Sequence, residues 1–95
     1  MATRRRIVAG NWKMNLDHAG AVALAQAVAA GAKSSTHCDL ILCPPAIYLD
    51  AVAVALELNN GQSPFGVALG GQNLHDQPKG AFTGEIACGM LVDIV

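Results

Sequence analysis

The chain has 95 residues, a net charge of −1 at pH 7, and a composition that is 53% hydrophobic and only 14% charged. This length fits one small domain or a piece of a larger one, and the composition is too apolar for a disordered protein. The single basic run, Arg4-Arg5-Arg6, has no further basic or aromatic cluster beside it. The sequence therefore predicts no nucleic-acid binding, and we interpret the run as the solvated start of a strand.

The first half of the chain predicts a strand, a helix and a second strand. Residues 5–10 form a short apolar strand, and residues 17–32 form an alanine-rich helix that Asp17 caps. The small apolar residues of this helix share one face: Val22, Ala25, Ala29 and Ala32, with Val28 beside them. Residues 39–43 form a continuous apolar run, which is typical of a strand buried on both faces of a sheet.

The second half of the chain predicts two more helices around a third strand. The elements are, in order, a helix over residues 47–58, a strand over residues 67–72 and a polar loop over residues 73–82. The first of these helices ends at Asn59-Asn60-Gly61, in the manner of a C-cap. A third helix begins at Thr83, with Glu85 in its first turn near the positive end of the helix dipole. Its apolar positions are Ile86, Met90 and Ile94.

The alternation of strands and helices predicts an α/β fold with a parallel sheet. Periodicity alone leaves open whether the sheet is an open, doubly wound one or a section of a closed barrel. Two features favour a section of a closed barrel over an open sheet. The last helix carries no C-cap signal, and a sheet of three strands is too small to bury this much apolar surface.

The loops that follow the strands are the candidate functional segments, because chemistry in parallel α/β folds sits at the carboxyl ends of the strands. The first loop is Asn11-Trp12-Lys13-Met14-Asn15. A lysine directly after a strand suits an anionic ligand such as a phosphate or a developing oxyanion. A plain surface lysine is an equally good interpretation of Lys13 taken alone.

Other reactive side chains give weaker signals. His75 and Asp76 could act as an acid–base pair, but adjacent residues rarely converge on one substrate, so we interpret them as solvated loop positions, as we do His18 and His37. The three cysteines form no C-x-x-C pair and are predicted to be small buried residues in a reducing compartment, with no metal site: Cys38, Cys43 and Cys88.

No targeting signal is predicted. The apolar segment after the arginines is too short for a signal peptide, and no apolar run approaches the roughly 20 residues that a membrane helix needs. We therefore expect a cytoplasmic protein that does not interact with membranes.

Three blocks of residues together resemble one enzyme family. Gly10-Asn11-Trp12-Lys13-Met14-Asn15 resembles the opening signature of the triosephosphate isomerases, and Cys43-Pro44-Pro45 fits the end of their second strand. Gly71-Gln72-Asn73, followed by Gly80-Ala81-Phe82-Thr83-Gly84-Glu85-Ile86, resembles their third loop and helix. The resemblance covers residues 5–94, and blocks of this length at the matching separations are highly specific.

The resemblance implies a section of an eight-stranded (β/α)8 barrel, in which residues 1–95 form the N-terminal part of a single domain and provide the first three βα units. It implies an enzyme that interconverts dihydroxyacetone phosphate and glyceraldehyde 3-phosphate in glycolysis and gluconeogenesis, without a cofactor or metal. It also implies a homodimer.

The resemblance further assigns residues to the site and to the interface. Asn11 and Lys13 would bind substrate, with Lys13 also catalytic because it neutralises the phosphate and the developing enediolate oxygen. The loop over residues 73–85 would insert beside the partner subunit. The residues at that dimer interface would be Met14, Asn15, Thr83, Gly84 and Glu85.

The same resemblance places the family's catalytic histidine and glutamate beyond Val95. No histidine of this chain stands at the matching position, and neither Glu57 nor Glu85 matches the catalytic base. We therefore expect the 95-residue chain alone to be inactive, since Lys13 cannot by itself abstract a proton. Two alternatives remain: a half-barrel that acts as an interaction module, and a phosphate-binding module without catalysis.

Overall fold

The computed structural model describes residues 4–34 and 37–95, which form three parallel strands and three α-helices. In chain order the elements are β1 (Arg6–Asn11), α1 (His18–Ala32), β2 (Cys38–Cys43), a 3-10 turn (Ala46–Tyr48), α2 (Leu49–Ala55), β3 (Val67–Leu69) and α3 (Cys88–Ile94). The strand order is β1-β2-β3, and Leu40 of β2 pairs with Val8 on one side and Val67 on the other. This architecture confirms the predicted α/β class.

Helix α1 forms as its sequence predicts. Asp17 is the N-cap residue, and its Oδ1 accepts a hydrogen bond from the backbone N–H of Gly20 at 2.8 Å. Four alanines spaced at three or four residues form its buried stripe: Ala21, Ala25, Ala29 and Ala32. Val22, predicted to lie on this face, is only half-buried. Alanine has a small side chain, so this stripe lets α1 pack closely against α2.

Helix α2 is shorter than the predicted helix over residues 47–58. It covers Leu49–Ala55 and ends because Glu57 has a left-handed backbone, with φ 54°. The N–H groups that follow turn back onto the last turn, since Glu57 N donates to Val54 O and Leu58 N donates to Ala53 O, each at 3.0 Å. This is the hydrogen-bond pattern that ends many helices, here with glutamate at the position where glycine is usual.

The predicted C-cap at Asn59-Asn60-Gly61 is wrong. Asn59 and Gln62 exchange backbone hydrogen bonds of 2.8 and 3.1 Å across a two-residue turn. Asn60 and Gly61, the two central residues, have φ of 53° and 76°. Both angles are positive, which is the turn geometry that Asn-Gly favours between antiparallel segments.

The third strand and helix also depart from the prediction. Strand β3 ends at Leu69, although the backbone N–H of Gly70 still donates to Leu42 O at 2.9 Å. Helix α3 begins at Cys88 and not at Thr83. Gly84 has φ 86°, which a helix cannot accommodate, and His75 N donates to Ile86 O at 2.7 Å, so the chain before Cys88 stays irregular or extended.

The later start of α3 changes which of its residues is buried. Leu91 is the buried position of this helix, whereas Met90, predicted on the inner face, is 55% exposed. Ile86 and Ile94 are half-buried, and Ile86 lies before the helix. Because Ile86 lies outside the helix, it does not fix which face turns inward, and the packed face carries Leu91 and Ile94, which are three residues apart.

The core lies between one face of the sheet and the helices, and the remaining surface of the sheet is open. Among residues of β2 only Leu42 is fully buried, so the prediction that this strand is covered on both faces is wrong. On β1, Ile7 is 63% and Val8 57% exposed. The chain exposes 6709 Å², whereas a compact monomer of this mass exposes about 5,200 Å². The three-stranded sheet thus leaves extensive apolar surface uncovered.

No helix in the described parts of the chain combines the length and the hydropathy that crossing a membrane requires.

Candidate active site

The candidate site lies where β1 and β2 end and where the chain leaves β3. Asn11 is the last residue of β1 and pairs with Cys43, the last residue of β2. The next backbone N–H, that of Trp12, donates to Cys43 O at 3.1 Å. The first loop therefore begins at the carboxyl edge of the sheet, which is the edge where parallel α/β folds place their ligands.

Lys13 has a constrained backbone in this loop. Its φ is 58°, a left-handed conformation that is uncommon for a residue with a side chain. The side chain of Asn11 supports this conformation, because its Oδ1 accepts a hydrogen bond from Lys13 N at 2.9 Å. Asn15 closes the loop from the other end by donating from Nδ2 to Trp12 O at 2.7 Å. Asn11 therefore helps to build the loop that presents Lys13.

Gln72, which follows β3, joins the three segments of the site. Its Nε2 donates to Lys13 O and to Cys43 O, each at 2.9 Å. Both hydrogens of the side-chain amide are thereby used, one on each carbonyl group. The sequence patterns do not single out Gln72 as a site residue. Its position could have indicated this role, because Gln72 is a hydrogen-bonding residue in the segment that follows β3, at the carboxyl edge of the sheet.

The Lys13 ammonium group is available to an anionic ligand. Asn11 and Lys13 are both exposed. In the described parts of the chain the ion pairs are Arg5 with Asp39 and His75 with Asp76, and neither involves Lys13. An unpaired ammonium at the edge of the sheet is a strong point charge that can bind phosphate without first breaking an internal salt bridge.

The residues expected at a dimer interface lie in two exposed loops. Met14 is 96% exposed, next to Lys13 in the chain. Thr83, Gly84 and Glu85 lie in a turn that is closed by a 3.0 Å hydrogen bond from Glu85 N to Phe82 O. Within residues 4–34 and 37–95, no hydrogen bond or ion pair joins this turn to Lys13. The chain brings Asn11 and Lys13 together through the hydrogen bond from Lys13 N to Asn11 Oδ1.

His75 is packed into its loop, so the prediction that it is a solvated position is wrong. Its ring lies 4.3 Å from the ring of Phe82, centroid to centroid. Its buried Nε2 makes no hydrogen bond and lies 3.5 Å from Asp76 Oδ1, a contact that becomes an ion pair only when the imidazole is protonated. Asp76 is 86% exposed, so the contact is weak in water. His75 therefore contributes to the packing of its own loop through the Phe82 ring.

The other histidines lie away from Lys13. His18 begins α1, is exposed, and meets the ring of Tyr48 edge-on at 6.5 Å. His37 is exposed and directly precedes β2, at the end of the sheet opposite to the site. Both are surface positions, as predicted.

Across residues 4–34 and 37–95, no group of three histidine, cysteine or acidic side chains is close enough to hold a metal ion. Cys43 is half-buried and Cys88 is exposed, so the prediction of a buried residue is wrong for Cys88.

A shallow cleft of about 190 Å³ separates the segment after β3 from the start of α2. Its lining includes Gln72, Asn73 and Glu85 on one side and Ala46 and Leu49 on the other. Gln72 thus lies between this cleft and the loop of Lys13.

Comparison with known proteins places the chain in one family. The family model described as triosephosphate isomerase matches residues 6–95. A protein named triosephosphate isomerase from Rhodopirellula baltica is 40% identical over 92 residues, which cover 97% of this chain and 34% of the relative. The proteins of that name from Herpetosiphon aurantiacus and Shewanella sp. (strain ANA-3) are each 43% identical, over 96% and 98% of this chain and 34% and 36% of theirs. The chain therefore spans about a third of the length of the curated relatives it matches.

Proposed function

The chain belongs to the triosephosphate isomerase family, and from this premise we propose that it contributes Asn11 and Lys13 to a site that interconverts dihydroxyacetone phosphate and glyceraldehyde 3-phosphate. One observation carries the proposal: Lys13 is held in a fixed left-handed conformation at the carboxyl edge of the sheet, between Asn11 and Gln72. Residues 1–95 are then the N-terminal part of a single (β/α)8 domain, and the reaction serves glycolysis and gluconeogenesis in the cytoplasm.

The proposed chemistry is electrostatic. The ammonium group of Lys13 binds the substrate phosphate and stabilises the negative charge that develops on the carbonyl oxygen when a proton leaves the neighbouring carbon. Asn11 orients the substrate, and its Oδ1 keeps the Lys13 N–H in place at 2.9 Å. No cofactor is required, because the reaction moves protons between adjacent carbons of one molecule.

Proton abstraction needs a base that these residues do not supply. Glu57 follows the last turn of α2 and Glu85 lies in the turn after Phe82, and within the described residues neither makes a hydrogen bond or an ion pair with Lys13. A positioned acid–base group typically contributes roughly 10²–10⁴-fold to a rate. The 95-residue chain by itself is therefore inactive, although it carries the electrostatic part of the site.

A chimaera tests the proposal directly. Residues 6–95 would replace the matching third of the Rhodopirellula baltica protein, and the product would be purified from a host that lacks its own isomerase. The chimaera should show turnover in an NADH-linked assay, while the purified 95-residue chain should show none above background. Turnover by the short chain would overturn its proposed inactivity. An inactive, folded chimaera beside an active parent would overturn the proposed role of these residues.

Two lysine variants of the chimaera test whether the positive charge of Lys13 contributes to catalysis. Lys13→Met removes the ammonium group at the site and should lower kcat/KM by roughly 10²–10³-fold, the cost of losing one transition-state charge partner. Lys33→Met is the matched control, since Lys33 lies at the far end of α1, where its Nζ is 5.9 Å from the Phe65 ring. Equal losses in both variants would argue against Lys13 as a site residue.

We propose a homodimer for the completed enzyme. The loop over residues 73–85, including Thr83, Gly84 and Glu85, then inserts beside Met14 and Asn15 of the second subunit. The exposure of Met14, at 96%, supports this arrangement. Met14→Glu would place a charge at the centre of the interface, so the chimaera should sediment as a monomer. An unchanged dimer would contradict the proposed surface.

An interaction module is the second candidate function. The exposure of Ile7 and Val8 on the edge strand β1 favours it, because apolar strand edges readily pair with other chains. In that case folding of the 95-residue chain should depend strongly on its concentration. The further alternative, phosphate binding without catalysis, predicts a chimaera that binds phosphate through Lys13 but does not turn over.

A further inference from the structure

We propose that Gln72 is a positioning residue: its side-chain amide holds Lys13 in the left-handed conformation from which the lysine binds phosphate. This inference rests on the proposed function, because it takes phosphate as the ligand of Lys13. The starting observation is that Gln72 lies 59 positions from Lys13 in the chain and still donates to its carbonyl oxygen at 2.9 Å. The bond therefore depends on the tertiary fold and not on local sequence.

The two hydrogen bonds of Gln72 fix the Lys13 carbonyl relative to the sheet. One hydrogen of Nε2 goes to Lys13 O and the other to Cys43 O. Cys43 O also accepts from Trp12 N at 3.1 Å, so it is anchored at the end of β2. Gln72 thus bridges the anchored carbonyl group of Cys43 and the carbonyl group of Lys13. Because both hydrogen bonds come from one planar amide, they fix the distance between the two carbonyl groups.

These two hydrogen bonds are needed because the left-handed backbone conformation of Lys13 is unfavourable without them. A left-handed backbone is disfavoured for a non-glycine residue by about tenfold. Asn11 holds the N–H side of Lys13, and Gln72 holds the carbonyl side. Without the second contact, the loop would populate the bound conformation in a smaller fraction of molecules, and phosphate affinity falls in proportion to that fraction.

Three variants of the 95-residue chain separate these effects. Gln72→Glu keeps the size of the side chain but replaces both donors with acceptors, which face two carbonyl oxygens. Gln72→Met removes the donors without adding charge, and it carries the test if Gln72→Glu fails to fold. Gln77→Glu is the matched control, because it adds the same charge to the same loop at an exposed position.

The readouts are the backbone geometry of Lys13 and the response of its side chain to inorganic phosphate, both by NMR. A positive φ brings the amide and α protons of one residue close, so the wild type and Gln77→Glu should show a strong intraresidue NOE at Lys13. In Gln72→Met and Gln72→Glu this NOE should weaken. Phosphate titration followed at the ε-methylene of Lys13 should show binding weakened about tenfold in both Gln72 variants and retained in the control.

The outcomes distinguish this inference from the proposed function. An unchanged Lys13 NOE and unchanged phosphate affinity in folded Gln72→Met would overturn the positioning role, whatever the fate of the proposed function. A wild-type chain with the strong NOE but no phosphate response at Lys13 would overturn phosphate as the ligand. Loss of affinity in Gln72→Glu and Gln77→Glu, with affinity retained in Gln72→Met, would show that charge in the loop, and not the Gln72 hydrogen bonds, controls binding.

Discussion

Replacing Lys13 by glycine separates the chemical role of the lysine from the cost of its backbone conformation. The left-handed region costs a non-glycine residue roughly 1–2 kcal/mol, and Lys13 occupies it with φ 58°. Glycine removes that cost but loses about 0.5–1 kcal/mol more conformational entropy on folding. The hydrogen bonds to Asn11 and Gln72 use the backbone of residue 13 and persist. Lys13→Gly should therefore raise the free energy of unfolding by about 0.5–1 kcal/mol while abolishing phosphate binding.

Urea unfolding followed by circular dichroism measures this change, with the free energy taken by linear extrapolation. Gly66→Ala is the mirror control, because Gly66 has φ 74° and a Cβ there would meet nothing within 4 Å. Alanine at this position should lower the free energy of unfolding by a similar amount, because its backbone strain exceeds the conformational entropy that replacing glycine saves. If Lys13→Gly destabilises the chain while Gly66→Ala behaves as expected, the reasoning about Lys13 is refuted.

Three further predictions concern the scaffold of the site, and unfolding free energies in urea check each of them. Asp17→Ala should cost about 1 kcal/mol through loss of the helix cap on Gly20 N, and Asp17→Asn should cost almost nothing; equal losses would contradict the capping role. Leu56→Ala should cost about 2–5 kcal/mol because Leu56 is fully buried, whereas Leu24→Ala, at a 39% exposed position, should cost far less; similar costs would argue against the described core. Glu57→Gly should stabilise the chain by about 0.5–1 kcal/mol, since glycine is the usual residue at this left-handed helix end, and a loss of stability would refute that geometry.

The strand and helix order could be predicted because apolar runs and regularly spaced small residues are visible directly in the sequence. The apolar run in β2 and the alanine stripe of α1 indicate their elements without reference to the rest of the chain. Asp17 could likewise be predicted as an N-cap residue, because an N-cap hydrogen bond is made within four residues. Local interactions of this kind depend on residue type and spacing alone.

The errors fall where distant contacts override local propensity. Thr83 and Glu85 look like the start of a helix, but the bond from His75 N to Ile86 O and the left-handed Gly84 delay that start until Cys88. Glu57 is an ordinary helix former that nevertheless ends α2. For α3 the competing hydrogen bond joins His75 and Ile86, which the local pattern treats as independent.

The sequence by itself determined the α/β class, the three strands and the family, because these depend on periodicity and on motifs that are contiguous in the chain. It also pointed to Asn11 and Lys13 as candidates. Only the tertiary structure decided how Lys13 is held, since Gln72 reaches the Lys13 carbonyl oxygen from 59 positions away and is itself anchored on Cys43 O at the end of β2. A hydrogen bond between segments so far apart leaves no periodic trace in sequence, because the pairing of the strands sets its geometry.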